Sequence, residues 1–156
     1  MSIAHSSETT SSDAIPKGDL RHALIRVITF RARHHYGRAE WSPERNRQVF
    51  GGQVEPHEHR YRVEITVAGP LDPETGFVTD LGALDRWIET RILEPLGDSD
   101  LNQAIPEVAD GRMQPSTEAL AGWVLRRLAG GVQRPARIDR VRVWESDALA
   151  GEARPG

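Results

Sequence analysis

An α+β domain, an antiparallel β-sheet carrying two helices on one face, is the fold the sequence predicts. Three observations predict it. Residues 57–67 alternate apolar and polar side chains without a break, residues 81–92 and 117–128 carry apolar side chains at helical spacing, and residues 138–145 return to a period of two. The chain has 156 residues and 38% apolar content, which suits one domain with an ordinary core.

Residues 1–19 (MSIAHSSETTSSDAIPKGD) are rich in Ser and Thr and lack apolar periodicity, so they read as a disordered leader. The folded domain is expected over 20–150, with a short disordered tail over 151–156. Within the domain, residues 24–33 (LIRVITFRAR) form a first strand whose even face carries Ile28, Phe30, Ala32 and then His34. His35 then points the other way. Residues 36–56 mix glycine, proline and charge, the pattern of a long connection with one helical turn near 42–48.

The second strand is the most informative stretch. His57, His59, Tyr61, Val63, Ile65 and Val67 share one face, and Glu58, Arg60, Arg62, Glu64 and Thr66 share the other. Gly69-Pro70 stops it, and a further short strand is allowed near 75–78. Asp80 caps a helix with Leu81, Leu84, Trp87, Ile88 and Ile92 on one stripe, expected to end before Pro95. A second helix follows Pro115, capped by Ser116 or Thr117, with Leu120, Trp123, Val124 and Leu128 inward. The last strand aligns Val141, Val143 and Glu145, so a carboxylate ends an apolar face.

Composition excludes several functions. Twenty basic against 23 acidic residues give a net charge of −3 with interspersed signs, which argues against nucleic-acid binding. No stretch approaches the roughly 20 apolar residues that cross a bilayer, and no apolar signal segment follows the N-terminus, so the expected location is cytoplasmic, with no membrane partner. With no cysteine, disulfides, thiolate ligands and a cysteine nucleophile are all absent.

Two histidines at i and i+2 of a strand stand about 6–7 Å apart on one face. They can share one zinc ion, at about 2.0–2.1 Å from each nitrogen, if a third ligand approaches from a neighbouring strand. His34 can be that ligand. Three imidazoles leave a fourth position open, the signature of a catalytic rather than a structural zinc, suited to polarising a carbonyl or hydroxyl. The same spacing also fits two half-exposed strand-end histidines beside a hydrogen-bonded core histidine. Glu145 likewise fits an ordinary surface carboxylate at a strand end. His5 and His22 read as surface residues, and His35 replaces His34 as ligand only if the strand register slips.

The segments TFRARHHYGRAEWSPERNRQVFGG, HEHRYRVEITVAGPLDPETGFVTDL, PSTEALAGWVL and VRVWESD together resemble the 6-pyruvoyltetrahydropterin and 6-carboxytetrahydropterin synthase family. The specific elements are Phe30 with His34, the H-x-H-x-Y ending at Tyr61, the run from Val67 through Gly76 to Val78, Thr117-Glu118 and Glu145. The resemblance implies the tunnelling fold, in which subunits join their sheets into a barrel, here a homo-oligomer, a hexamer built as a dimer of trimers. It implies Zn2+ on His34, His57 and His59. It also implies that Glu145 grips the guanidine-like edge of a pterin ring, with Thr117 and Glu118 along the same pocket.

The sequence departs from the family at the proton relay. Gln53 stands where the family places its cysteine, and Gly97-Asp98 stand where it keeps an Asp-His pair. An amide is no base, so Glu55, Glu58 and Asp98 are the candidate carboxylates, with Asp98 and Glu55 preferred because Glu58 points away from the metal by alternation. The resulting expectation is a zinc-dependent carbon–oxygen or carbon–carbon lyase acting on the side chain of dihydroneopterin triphosphate or a related pterin. The alternatives are a pterin binder without turnover and a zinc enzyme for a non-pterin substrate.

Overall fold

The computed structural model describes residues 14–156. Residues 1–13, most of the expected leader, lie outside the described residues, and Lys17–Asp19 forms a single 3-10 turn. The first strand, β1 (His22–His34), is rich in β-branched residues, and its burial alternates with the even positions inward. It pairs antiparallel with β2 (His57–Gly69) along its whole length, from His22 opposite Gly69 to His34 opposite His57. Helix α1 (Pro43–Phe50), capped by the Ser42 side chain, lies in the connection between them.

Beyond β2, Asp80 caps α2 (Leu81–Ile88), accepting a hydrogen bond from the Ala83 amide at 3.0 Å. A π-helical turn, Glu89–Leu93, then leads into α3 (Glu94–Leu96). The helical path therefore runs past Pro95 rather than stopping before it. The Glu94 amide bonds back to the Glu89 carbonyl, five residues away. This wider turn takes up the proline, which has no N–H to offer and whose ring would crowd a tighter spiral.

The short strand β3 (Ser99–Asp100) runs parallel to β1. Two short helices that the periodicity did not reveal follow, α4 (Leu101–Ala104) and α5 (Pro106–Ala109). Ser116 rather than Thr117 caps α6 (Thr117–Leu128). The strands β4 (Arg137–Ser146) and β5 (Leu149–Ala153) complete a five-stranded sheet in the order β3-β1-β2-β4-β5.

The inward face of the sheet and the two main helices form one core. Tyr61, Val63, Ile65 and Val67 of β2 meet Val141 and Val143 of β4 beneath Leu84, Ile88, Leu120 and Val124. Each such side chain contributes about 1.5–3 kcal/mol when fully buried. The strict alternation of β2 holds to Ile65 and breaks where Thr66 is buried, at a register shift against β4. The opposite face is open, with Ile25 55% and Val27 40% exposed.

Two further expectations are corrected. Residues 75–78 form no strand, because the Asp72 carboxylate accepts from the amides of Glu74 and Thr75 and its main chain bonds Gly76 and Phe77. Those groups are bonded within the turn, which leaves no continuous run of donors and acceptors for a ladder. Residues 151–153 are no loose tail, since Gly151, Glu152 and Ala153 pair with Val143, Arg142 and Val141. Glycine and alanine carry little strand preference. What holds the segment is the ladder and a close approach to α6 that only glycine allows, because a Cβ on Gly151 would lie 2.2 Å from the Glu118 amide nitrogen.

Gly151→Ala is accordingly expected to cost about 1–3 kcal/mol, the range for overpacking a filled site. Urea denaturation measures it; an unchanged midpoint would mean that β5 and α6 separate freely.

Candidate active site

Strand register assembles the first half of the site. His34 ends β1 directly opposite His57, while His59 stands opposite Ala32. Because side chains alternate, all three imidazoles turn to the inner face at the end where the sheet meets the start of α6. Their potential ligand nitrogens lie within 4.8 Å of one another. His34 is fully buried, and His57 and His59 are half-buried.

The hydrogen bonds decide which nitrogen is free. His34 Nδ1 lies 3.0 Å from the Pro115 carbonyl, and His57 Nδ1 lies 2.8 Å from the Glu55 carbonyl. A carbonyl only accepts, so each Nδ1 carries the proton and each Nε2 presents a lone pair. Nε2 of His34, His57 and His59 are all buried without a partner. Three orphaned imidazole nitrogens turned toward one point, two of them oriented by main-chain carbonyls behind, form the donor set and supporting shell that a zinc ion takes. His35 is not part of this set. Its amide and carbonyl are clamped by the Asn102 side chain at 2.9 and 3.1 Å, which locks the register against slippage.

Burial, reinforced by the neighbouring His57, His59 and His35, lowers the His34 pKa to about 4, against the backbone bond to Pro115 that raises it. The ring is therefore neutral and able to ligate well below pH 7.

The second half of the site comes from β4. Continuing the register beyond the Arg62–Trp144 pair sets Glu145 beside Tyr61. Its carboxylate is mostly buried, with an oxygen 3.8 Å from His59 Nε2. The buried Thr117 hydroxyl donates to Glu118 at 3.1 Å. Hydrogen bonding from its own amide at the start of α6, with help from Thr117, holds the Glu118 carboxyl below its usual range. Two tyrosines that the motif reading left without a role also face these carboxylates. Burial, then Glu145 and Glu118, push the Tyr36 phenol up to about 12. Burial, then Glu145 and Tyr36, push Tyr61 up as well, and its hydroxyl has no partner.

A family model described as 6-pyruvoyl tetrahydropterin synthase matches residues 23–155. The chain belongs to that family. A 6-pyruvoyl tetrahydrobiopterin synthase of Poecilia reticulata is 35% identical over 127 residues, covering 80% of this chain and 84% of its own. The Homo sapiens enzyme of the same name is 34% identical over 126 residues, covering 80% and 85%. Among solved structures, the Caenorhabditis elegans 6-pyruvoyl tetrahydropterin synthase superposes with a TM-score of 0.79 at 20% identity, over 88% of this chain and 97% of that one. A Plasmodium vivax 6-pyruvoyltetrahydropterin synthase, solved as an alanine variant of a catalytic glutamate, gives 0.60 at 14% identity, over 88% and 99%. The sheet and helices described above are thus the family's tunnelling fold.

The candidate bases are dispersed. The Gln53 side chain is exposed, and its main-chain carbonyl accepts the Tyr36 amide at 2.9 Å. The Glu55 carboxylate pairs with Arg47 at 2.9 Å, so its main-chain carbonyl, not its carboxylate, serves His57. Asp98 lines a cleft of about 650 Å³ with Thr29, Arg31, Glu58, His59 and Arg60. It holds a left-handed backbone (φ 54°), pinned by its amide's bond to the Arg31 carbonyl at 2.7 Å.

The neutral His34 links stability to acidity. Its folded pKa lies below the ordinary 6.5, so the unfolded chain takes up a proton that the fold refuses. The stability of metal-free protein is expected to be complete above pH 6.5 and to decline as pH falls toward 4. His34→Leu is expected to flatten that slope when urea midpoints are compared across pH; equal slopes for both proteins would refute the assignment.

Proposed function

We propose that the protein is a zinc-dependent lyase acting on the side chain of a pterin such as dihydroneopterin triphosphate, with a carboxylate in the place of the usual thiolate. The observation that carries this reading is the group of three buried, unpartnered Nε2 atoms beside the inward Glu145. The family's relatives named above, 6-pyruvoyl tetrahydrobiopterin synthases, support the substrate class.

In this reading His34, His57 and His59 hold Zn2+. Bound there, zinc supplies a Lewis acid for a hydroxyl or carbonyl of the substrate side chain. The chain's own residues do the rest. Glu145 accepts two N–H groups from the ring edge, a charge-assisted pairing that gains strength where water is excluded. Thr117 steadies Glu118 along the same wall. Asp98 is the carboxylate proposed to move the proton, since it stands where the family keeps its relay pair and is held in a costly backbone conformation. Glu55 is the reserve, available once it leaves Arg47. A catalytic glutamate in the Plasmodium vivax enzyme supports a carboxylate among the catalytic groups. The open sheet face bearing Ile25 and Val27 supports assembly of several copies into a barrel, a homohexamer.

A second reading, a pterin binder without turnover, is favoured by one observation: the position of the family's cysteine is an exposed glutamine. Zinc analysis of purified protein, with mass spectrometry after incubation with dihydroneopterin triphosphate, separates the two. One zinc per chain with consumption of the pterin is the expected result; zinc and binding without consumption would establish the binder. His57→Ala and His59→Ala are each expected to lose most of the metal, and full retention in both would sink the zinc assignment. Glu145→Gln is expected to weaken pterin binding by about 10- to 100-fold, the value of a charge-assisted bond, while leaving zinc content intact.

A further inference from the structure

The segment between β1 and β2 contains an arrangement that zinc binding and the ring anchor do not explain. Helix α1 buries no residue in the core, yet it presents an ordered aromatic stack. Phe50 lies against Tyr36 with ring centres 5.6 Å apart and planes 17° from parallel, and Trp41 lies against Phe50 at 5.9 Å and 21°. The Arg45 guanidinium covers the Trp41 ring at 4.2 Å. At the inner end, the Tyr36 ring meets His34 at 5.2 Å, and its amide is tied to the Gln53 carbonyl. A helix that adds nothing to the core thus serves to fix one tyrosine at the mouth of the histidine cluster.

The Tyr36 ring and the Glu145 carboxylate flank one cluster, the ring 5.2 Å from His34 and a carboxylate oxygen 3.8 Å from His59 Nε2, and the charges of Glu145 and Glu118 act on the phenol. Both carboxylates are pure acceptors, so by themselves they read only the N–H groups of a ligand. A pterin edge carries N–H groups next to a ring carbonyl, and reading all of it takes a donor beside the acceptors. Resting on the pterin reading above, we propose that Tyr36 is a specificity-determining residue whose hydroxyl donates to the ring carbonyl of the bound heterocycle. The aromatic stack pre-orients it, so little side-chain entropy is lost on binding.

Binding of pterin and of 2,4-diaminopteridine, which has an amino group in place of that carbonyl, tests this on zinc-loaded wild type and Tyr36→Phe. The phenylalanine keeps the stack and removes only the hydroxyl. Tyr36→Phe is expected to weaken pterin by about tenfold, one neutral hydrogen bond, and diaminopteridine by less than about twofold, with zinc content and melting temperature unchanged. Pterin affinity unchanged by the substitution, or equal losses for both ligands, would overturn the inference alone. A wild type that binds neither ligand would overturn it together with the pterin reading.

Discussion

The pairing of β1 with β2 is the constraint on which the site depends. A period of two means that each residue's face is decided by its parity, and thirteen consecutive pairs fix that parity for both strands at once. With His34 opposite His57, three imidazoles meet on the inner face. A slip of one residue would send them outward and bring arginines and glutamates into the core. The apolar residues further along the same strands forbid that slip, so hydrophobic burial in the middle of the sheet positions the histidines at its end. The clamp of Asn102 on both main-chain groups of His35 secures the last pair, where fraying would otherwise begin.

A second dependence runs through α6. The carbonyl of Pro115, just before its cap, orients His34, and its first turn supplies Thr117 and Glu118. That turn is seated on β5 through the contact at Gly151. The histidine cluster and the carboxylates beside it therefore share one support, and a disturbance at the chain's end reaches both.

Much of this was legible in the sequence. The alternation from His57 to Ile65 revealed the strand and its inward histidines, and Asp80 and Ser116 marked helix starts with the side-chain oxygens that cap them. The unread parts share a physical reason: they rest on tertiary pairing, not on local preference. Gly151, Glu152 and Ala153 favour no strand by themselves, and β3 is two residues long. The Asp72 turn competes with a ladder that residues 75–78 would otherwise suit. Within the candidate site, the clustering of the three histidines was readable because strand parity sets His57 and His59 on one face and His34 at the end of the neighbouring one. Tyr36 was not, since its place beside Glu145 and Glu118 depends on how a long connection folds back.

The π-helical turn at Glu89–Leu93 has a consequence for how this chain tolerates change in length. It holds one residue more than the regular spiral would need, and the path after it leads through Gly97 to Asp98. Deleting a single residue there would close the wide turn and press the ring of Pro95 into a regular spiral, at a cost of about 3 kcal/mol or more. Relieving that clash would draw the Asp98 amide from the Arg31 carbonyl and loosen the edge strand β3 beside it. The number of residues between Asp80 and Asp98 is thus as much a property of the fold as any side chain. A variant that looked more regular by its helical ladder would be the less stable of the two.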